Sequence, residues 1–202
     1  MTSPLPFPAT PRDATVLNLV ALSGNVRVPS RTEALVRAVA VEFSKHVLVS
    51  QHMFSMAEIG PTVLPALTRA SLRAEGLAYV HAIEAADILI IGSPIYRASY
   101  TGALKHLFDL VDYRALTGAI GVIVATGGTA MHGLATEHQF RPLLSFFGIT
   151  AVSTTIYALE NDFDGTTISS SQIRGRIEQA AAEAALLAPL AERRHQARRL
   201  AA

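Results

Sequence analysis

The feature that most constrains this chain is a set of short apolar runs, each closed by glycine, serine or proline and each followed by helically spaced residues. Asp87-Ile88-Leu89-Ile90-Ile91-Gly92 ends at Ser93-Pro94, and Val16 to Leu22 ends at Ser23-Gly24-Asn25. Ile120 to Ala125 ends at Thr126-Gly127-Gly128. Runs without polar alternation belong to strands buried on both faces, the situation of a parallel sheet covered by helices.

Between these runs the spacing changes. From Arg31 to Lys45, Leu35, Val39 and Phe43 fall four apart on one stripe, which predicts an amphipathic helix. His46 to Val49 reads as a short second strand, and residues 50–73 read as irregular because Gly60-Pro61 and Pro65 interrupt any long element. Helices are expected over Leu72–Ala85, Thr101–Val111, Leu134–Phe147 and Ser170–Leu190, with a fifth strand over Ala151–Tyr157. Strands alternating with helices give an α/β three-layer sandwich around a five-stranded parallel sheet, in the flavodoxin-like order 2-1-3-4-5.

A chain of 202 residues suits one such domain, expected over 15–190, with no internal repeat or linker to divide it. Charged residues make up only 16%, and so uncharged a surface favours self-association. The net charge of +1 argues against broad binding to nucleic acid. The absence of cysteine removes disulfides and cysteine zinc sites and points to the cytoplasm. No apolar run reaches the ~18 to 20 residues that span a bilayer, so no membrane partner is expected. Residues 1–14, rich in Pro, Thr and Ser without a basic start, read as a disordered leader or a functional arm rather than a secretory signal. The tail, 191–202, carries Arg193, Arg194, Arg198 and Arg199. It reads as a solvated helix end whose cations suit the helix dipole, or as a partner-binding tail.

In an open α/β sheet, ligands bind beyond the carboxyl ends of the strands where strand order reverses, which brings together the loops after strands 1, 3 and 4. The first, Ser23 to Thr32, joins a strand to a helix N-terminus. Ser23, Ser30 and Thr32 supply hydroxyls there, and Arg27 and Arg31 supply charge suited to a phosphomonoester such as that of FMN. An ordinary Ser/Thr-capped helix start explains the same residues. The loop has neither G-x-G-x-x-G nor G-x-x-x-x-G-K-[ST]. The second loop, with Pro94, Ile95, Tyr96 and Arg97, offers apolar and aromatic neighbours for a flat ring. The third, Thr126-Gly127-Gly128-Thr129, lets backbone approach a ligand closely.

Taken together, Ser23-Gly24-x-x-Arg27-x-Pro29-Ser30-Arg31, the block from Gly92 to Lys105, and Ala125-Thr126-Gly127-Gly128-Thr129 resemble the NAD(P)H-dependent FMN reductases. More narrowly they resemble the reductase components of two-component alkanesulfonate and methanesulfonate monooxygenases. The resemblance covers roughly residues 15–159. It implies FMN as cofactor or released substrate, NADPH or NADH as hydride donor, an FMN-dependent monooxygenase as partner, and a homodimer or homotetramer. It also implies a π-bulge in the helix carrying His132 to Pro142, with His138 where alkanesulfonate-type members insert a tyrosine. Pro142 removes an N–H in that helix, which suits such an irregularity. His138 is then either an interface residue near flavin or a helix-surface histidine beside a kink.

Hydride transfer between nicotinamide and flavin is carried by the cofactors, so no catalytic side chain is expected, and none stands out. The scattered histidines show no metal-ligand spacing, and H-E-x-x-H and G-x-S-x-G are absent. Two other readings share the scaffold: an FMN-bound quinone, azo or metal-ion reductase, and a non-catalytic flavodoxin-like electron carrier. Carriers are usually strongly acidic, and this chain is balanced.

Overall fold

The computed structural model describes residues 15–201, so the expected leader lies outside the described residues. Strand β1 (Leu17–Ser23) pairs in parallel with β2 (Val49–Ser55) on one side and β3 (Ile88–Pro94) on the other. β3 pairs with β4 (Ile120–Gly127), whose far edge takes two short strands, β5 (Thr150–Ala151) and β6 (Ile156–Leu159). The order is 2-1-3-4-5, with β6 continuing the fifth position.

Alternate strand residues feed two cores. Leu17, Leu19, Ile88, Ile90, Ile120 and Val122 face α1 (Arg31–Phe43) and α6 (Ser171–Ala201). Val20, Leu22, Leu89, Ile91 and Ile123 face α2 (Met56–Val63), α3 (Ala74–Glu84), α4 (Gly102–Leu110) and α5 (Arg141–Phe146). The apolar runs are continuous because both faces of each central strand are covered. α1 lies so close to the sheet that a Cβ added at Gly92 would sit 2.3 Å from Val36 Cγ2.

Four expectations need correction. The second strand begins where it was expected to end. His46 and Val47 finish the turn after α1 by donating to the Phe43 carbonyl at 2.9 and 3.3 Å, and the edge strand then runs through exposed Ser50, Gln51 and His52. Residues 50–73 are more regular than expected, since α2 accommodates Pro61 within its short length. The fifth strand is broken. Glu183 of α6 accepts from the Thr154 N–H and hydroxyl at 2.8 and 2.6 Å, while Arg141 and Arg176 donate to the Val152 and Thr155 carbonyls. Side chains thus take the backbone groups that a ladder would have used.

The last correction concerns the tail. α6 continues past Leu190 to Ala201, and Arg194 is not a solvated cation: its side chain is only 9% exposed. It pairs with buried Asp87 at 2.8 Å and donates to the carbonyls of Ala86, Ala115 and Thr117. His195 Nδ1 lies 2.6 Å from the other Asp87 oxygen, and Arg198 donates to the Glu84 carbonyl. Arg193 and Arg199 remain exposed. A second, antiparallel pairing of β7 (Phe163–Asp164) with β8 (Thr167–Ile168) forms a hairpin beyond β6.

Candidate functional site

The loops after β1, β3 and β4 are stitched together before any ligand is considered. The Gly24 N–H donates to the Gly92 carbonyl at 2.7 Å, and the Thr101 hydroxyl donates to the Gly24 carbonyl at 2.7 Å. Thr101 also caps α4 by accepting from the Leu104 N–H. The Ile95 N–H donates to the Thr126 carbonyl at 2.8 Å, and the buried hydroxyls of Thr32 and Thr126 meet at 2.6 Å. These contacts fix the mouth of the first helix against the other two turns.

They enclose a cavity of ≈ 700 Å³, within the size range of cofactor sites. Its wall includes Arg27, Ser30, Arg31, Thr32, Pro94, Ile95, Tyr96, Thr126, Gly127 and Gly128. Three expected residues stand elsewhere. Ser23 is fully buried at the end of β1, behind the wall. Arg97 sits at the exposed tip of the second loop, where it and Ala98 take φ of 54° and 66° beside the Tyr96–Ser99 bridge. Thr129 caps the short helical turn 130–132, accepting from the Met131 N–H.

The first turn of α1 is a serine-capped helix start. Ser30 is the N-cap, its hydroxyl accepting from the Glu33 N–H at 3.2 Å. The N–H groups of Arg31 and Thr32 have no intrahelical acceptor, and both residues line the cavity at the end of the helix whose dipole favours an anion. Arg31 is held by a second element: its Nη2 meets Glu160 Oε1 at 2.7 Å, and its Nε donates to the Gly165 carbonyl at 3.1 Å.

Seven of the seventeen residues in the wall were not expected from the sequence. Asn25 lies on it, 3% exposed, with Nδ2 donating to the Arg27 carbonyl and Oδ1 without a protein partner. Leu159, Glu160, Phe163, Gly165 and Thr166 close the far side from β6 and the β7–β8 hairpin. The signal for that hairpin was present: Gly165-Thr166 is the two-residue turn between Asp164 and Thr167, with glycine at the first position, where φ is 60°.

At the glycine pair the two positions differ. A Cβ at Gly127 would lie 1.9 Å from the Tyr157 hydroxyl, whereas Gly128 faces open space. Tyr157 donates to the Thr129 carbonyl at 2.6 Å, and burial pushes its phenol up, keeping it a donor.

The π-helical turn is present at Thr136–Phe140, closed by the Arg141 N–H donating to the Thr136 carbonyl five residues back. Pro142 then withholds the next donor. His138 lies exposed on this turn. Gln139 accepts from the Ser99 hydroxyl and the Phe140 ring meets Tyr100 edge-on, so the turn packs against the second loop of the cavity.

An FMN-sized ligand fits this wall on three counts: the orphaned acceptor of buried Asn25, the open space over Gly128, and a helix start with Arg31 and Arg27 in the wall. Among the described residues no cluster of His, Asp and Glu is arranged to hold a metal ion. No helix among them is long and apolar enough to cross a membrane.

Comparison with known proteins agrees with this geometry. The family model of NADPH-dependent FMN reductase matches residues 17–164. An NADH-dependent FMN reductase, SfnF, of Pseudomonas fluorescens is 44% identical over 85% of this chain and 91% of its own. An FMN reductase (NADPH) of Pseudomonas aeruginosa is 41% identical over 84% and 91%. The crystal structure of an oxidoreductase from Corynebacterium diphtheriae superposes with a TM-score of 0.74, at 32% identity over 85% of this chain and 96% of that one. By its fold, its cavity and a match along most of its length, the chain belongs to the NADPH-dependent FMN reductase family.

Proposed function

We propose that this protein uses NADH or NADPH to reduce FMN and releases the reduced flavin to an FMN-dependent monooxygenase, in cytoplasmic sulfonate sulfur metabolism. The observation that carries the flavin reading is the cavity itself, which joins an anion-binding helix mouth to two ring-sized turns in one wall. The release and the sulfonate context rest on the resemblance of the loop motifs and on relatives named as FMN reductases.

Held in this cavity, FMN would supply the hydride-accepting ring for the nicotinamide. The chain's own work is positional. Ser30, Arg31, Thr32 and Arg27 are assigned to the phosphate, through a guanidinium and the free N–H groups of the helix mouth. Pro94, Ile95 and Tyr96 are assigned to one side of the ring. The Gly127–Gly128 backbone is assigned to its polar edge, where N–H groups stabilise negative charge on the reduced ring. Ser23, Arg97 and Thr129 lie off the wall and receive no direct contact. His138, on an exposed turn with Met131 and Leu134 nearby in sequence at 87% and 65% exposure, is assigned to the contact between copies in a homodimer or homotetramer.

Anaerobic mixing with NADH or NADPH and FMN, followed by filtration, tests the reading. Reduced flavin in the filtrate is the expected result. Flavin retained with the protein through turnover would instead identify a reductase with tightly held FMN. Absence of flavin-dependent nicotinamide oxidation would leave only a binding module.

A further inference from the structure

A carboxylate stands in the wall beside the arginine assigned to the phosphate. Glu160 Oε1 accepts from Arg31 Nη2 at 2.7 Å, the Gly165 carbonyl accepts from Arg31 Nε, and all three residues line the cavity. This ion pair contributes little to folding, because its side chains are 39% and 75% exposed and such surface pairs are worth little. Its consequence falls on the ligand. A dianionic phosphate drawn to Arg31 must either displace Glu160 or share the guanidinium with it, and sharing sets like charges side by side. Two further carboxylates are engaged elsewhere: Glu33 is turned to Asn25 and Arg37, and Asp162 accepts from the Leu159 N–H.

We propose that Glu160 is an affinity-setting residue that competes with the flavin phosphate for Arg31 and speeds flavin exchange. The proposal rests on the assignment of Arg31 to the phosphate. Its reach is selective: riboflavin, which lacks the phosphate, is indifferent to the competition. A site built only to hold FMN gains nothing from an acid against its phosphate-binding arginine; a site that must load and unload FMN does.

The test is fluorescence titration and stopped-flow dissociation of oxidised FMN and of riboflavin with the full chain, its Glu160→Gln variant and its Arg31→Ala variant. Removing one exposed charge from beside a dianion is expected to tighten FMN about 3- to 10-fold, chiefly by slower dissociation, with riboflavin unchanged. The gain shrinks as salt is raised. If Arg31→Ala weakens FMN but Glu160→Gln leaves it unchanged or weaker, the competition is wrong while the phosphate assignment stands. If Arg31→Ala leaves FMN affinity unchanged, the phosphate assignment itself fails and the competition with it. Equal tightening of riboflavin would also overturn the proposal, since it would place the effect on the rest of the flavin.

Discussion

The hydroxyls of Thr32 and Thr126 lie 2.6 Å apart in a buried contact that ties the first turn of α1 to the end of β4. Each is the other's partner, so replacing one with valine leaves a buried hydroxyl unsatisfied. Thr32→Val or Thr126→Val alone is expected to cost about 1–3 kcal/mol in urea unfolding. The double variant, which buries two methyls instead, is expected to recover most of that loss. Additive losses in the double-mutant cycle would show that the contact is not an isolated pair.

The adjacent glycines after β4 separate fold from ligand. Gly127→Ala places a methyl into the Tyr157 hydroxyl that holds the Thr129 carbonyl, and is expected to lower stability by about 1–3 kcal/mol through overpacking. Gly128→Ala meets no atom within 4 Å and is expected to unfold within about 0.5 kcal/mol of the parent. Because Gly128 is part of the cavity wall, the same variant is expected to weaken flavin binding. Melting curves and FMN titrations on both variants separate the two effects, and normal flavin affinity in Gly128→Ala would move the ring away from this turn.

Arg194 and Asp87 lock the closing helix to the amino-terminal end of β3, opposite the cavity. Asp87 is 1% exposed, so Arg194→Met strands a buried carboxylate with only His195 and the Asn18 N–H for support. The expected loss is about 3–5 kcal/mol. The exposed neighbour Arg193→Ala is expected to change stability by less than about 0.5 kcal/mol. Flavin affinity of the folded Arg194→Met protein should match the parent. A mild effect on the denaturation midpoint would return the tail to a solvated helix end.

What could be read in advance follows from how local its cause is. β1, β3 and β4 announce themselves because burial on both faces leaves no room for polar residues between Ile88 and Ile91 or Ile120 and Ala125. β2 does not, because an edge strand tolerates Ser50, Gln51 and His52 on its open side. The break in the fifth strand and the docked tail are set by partners far along the chain, Glu183 for Thr154 and Arg194 for Asp87, and no local pattern carries them. The cavity divides the same way. Its Ser30–Thr32, Pro94–Tyr96 and Thr126–Gly128 walls follow from strand ends, whereas Glu160 arrives on the short turn after β6 and Gly165 on the hairpin beyond it, both outside the repeating strand–helix pattern.

Glu137 and Arg141 clamp the π-helical turn, with Arg141 Nη2 meeting Glu137 Oε1 at 3.1 Å while its Nη1 donates to the Val152 carbonyl. The hydrogen bond from Arg141 holds the Glu137 carboxyl below its ordinary value, against an opposing push from partial burial. A depressed folded-state pKa contributes stability above the unfolded value, about 4.3 for a glutamate, and that contribution disappears as pH falls through the lower folded value. With 38% of the Glu137 side chain exposed, solvent screening limits the clamp to no more than about 1 kcal/mol. Glu137→Gln is therefore expected to melt slightly lower than the parent near pH 7 and to converge with it as the pH drops below about 4. Parallel melting curves across pH 3–7 check this. No gap at pH 7 would mean that the turn is held by the Thr136, Gln139 and Phe140 contacts and by the geometry of Pro142, not by the ion pair, and a gap that persists in acid would mean that the substitution acts through packing and not through charge.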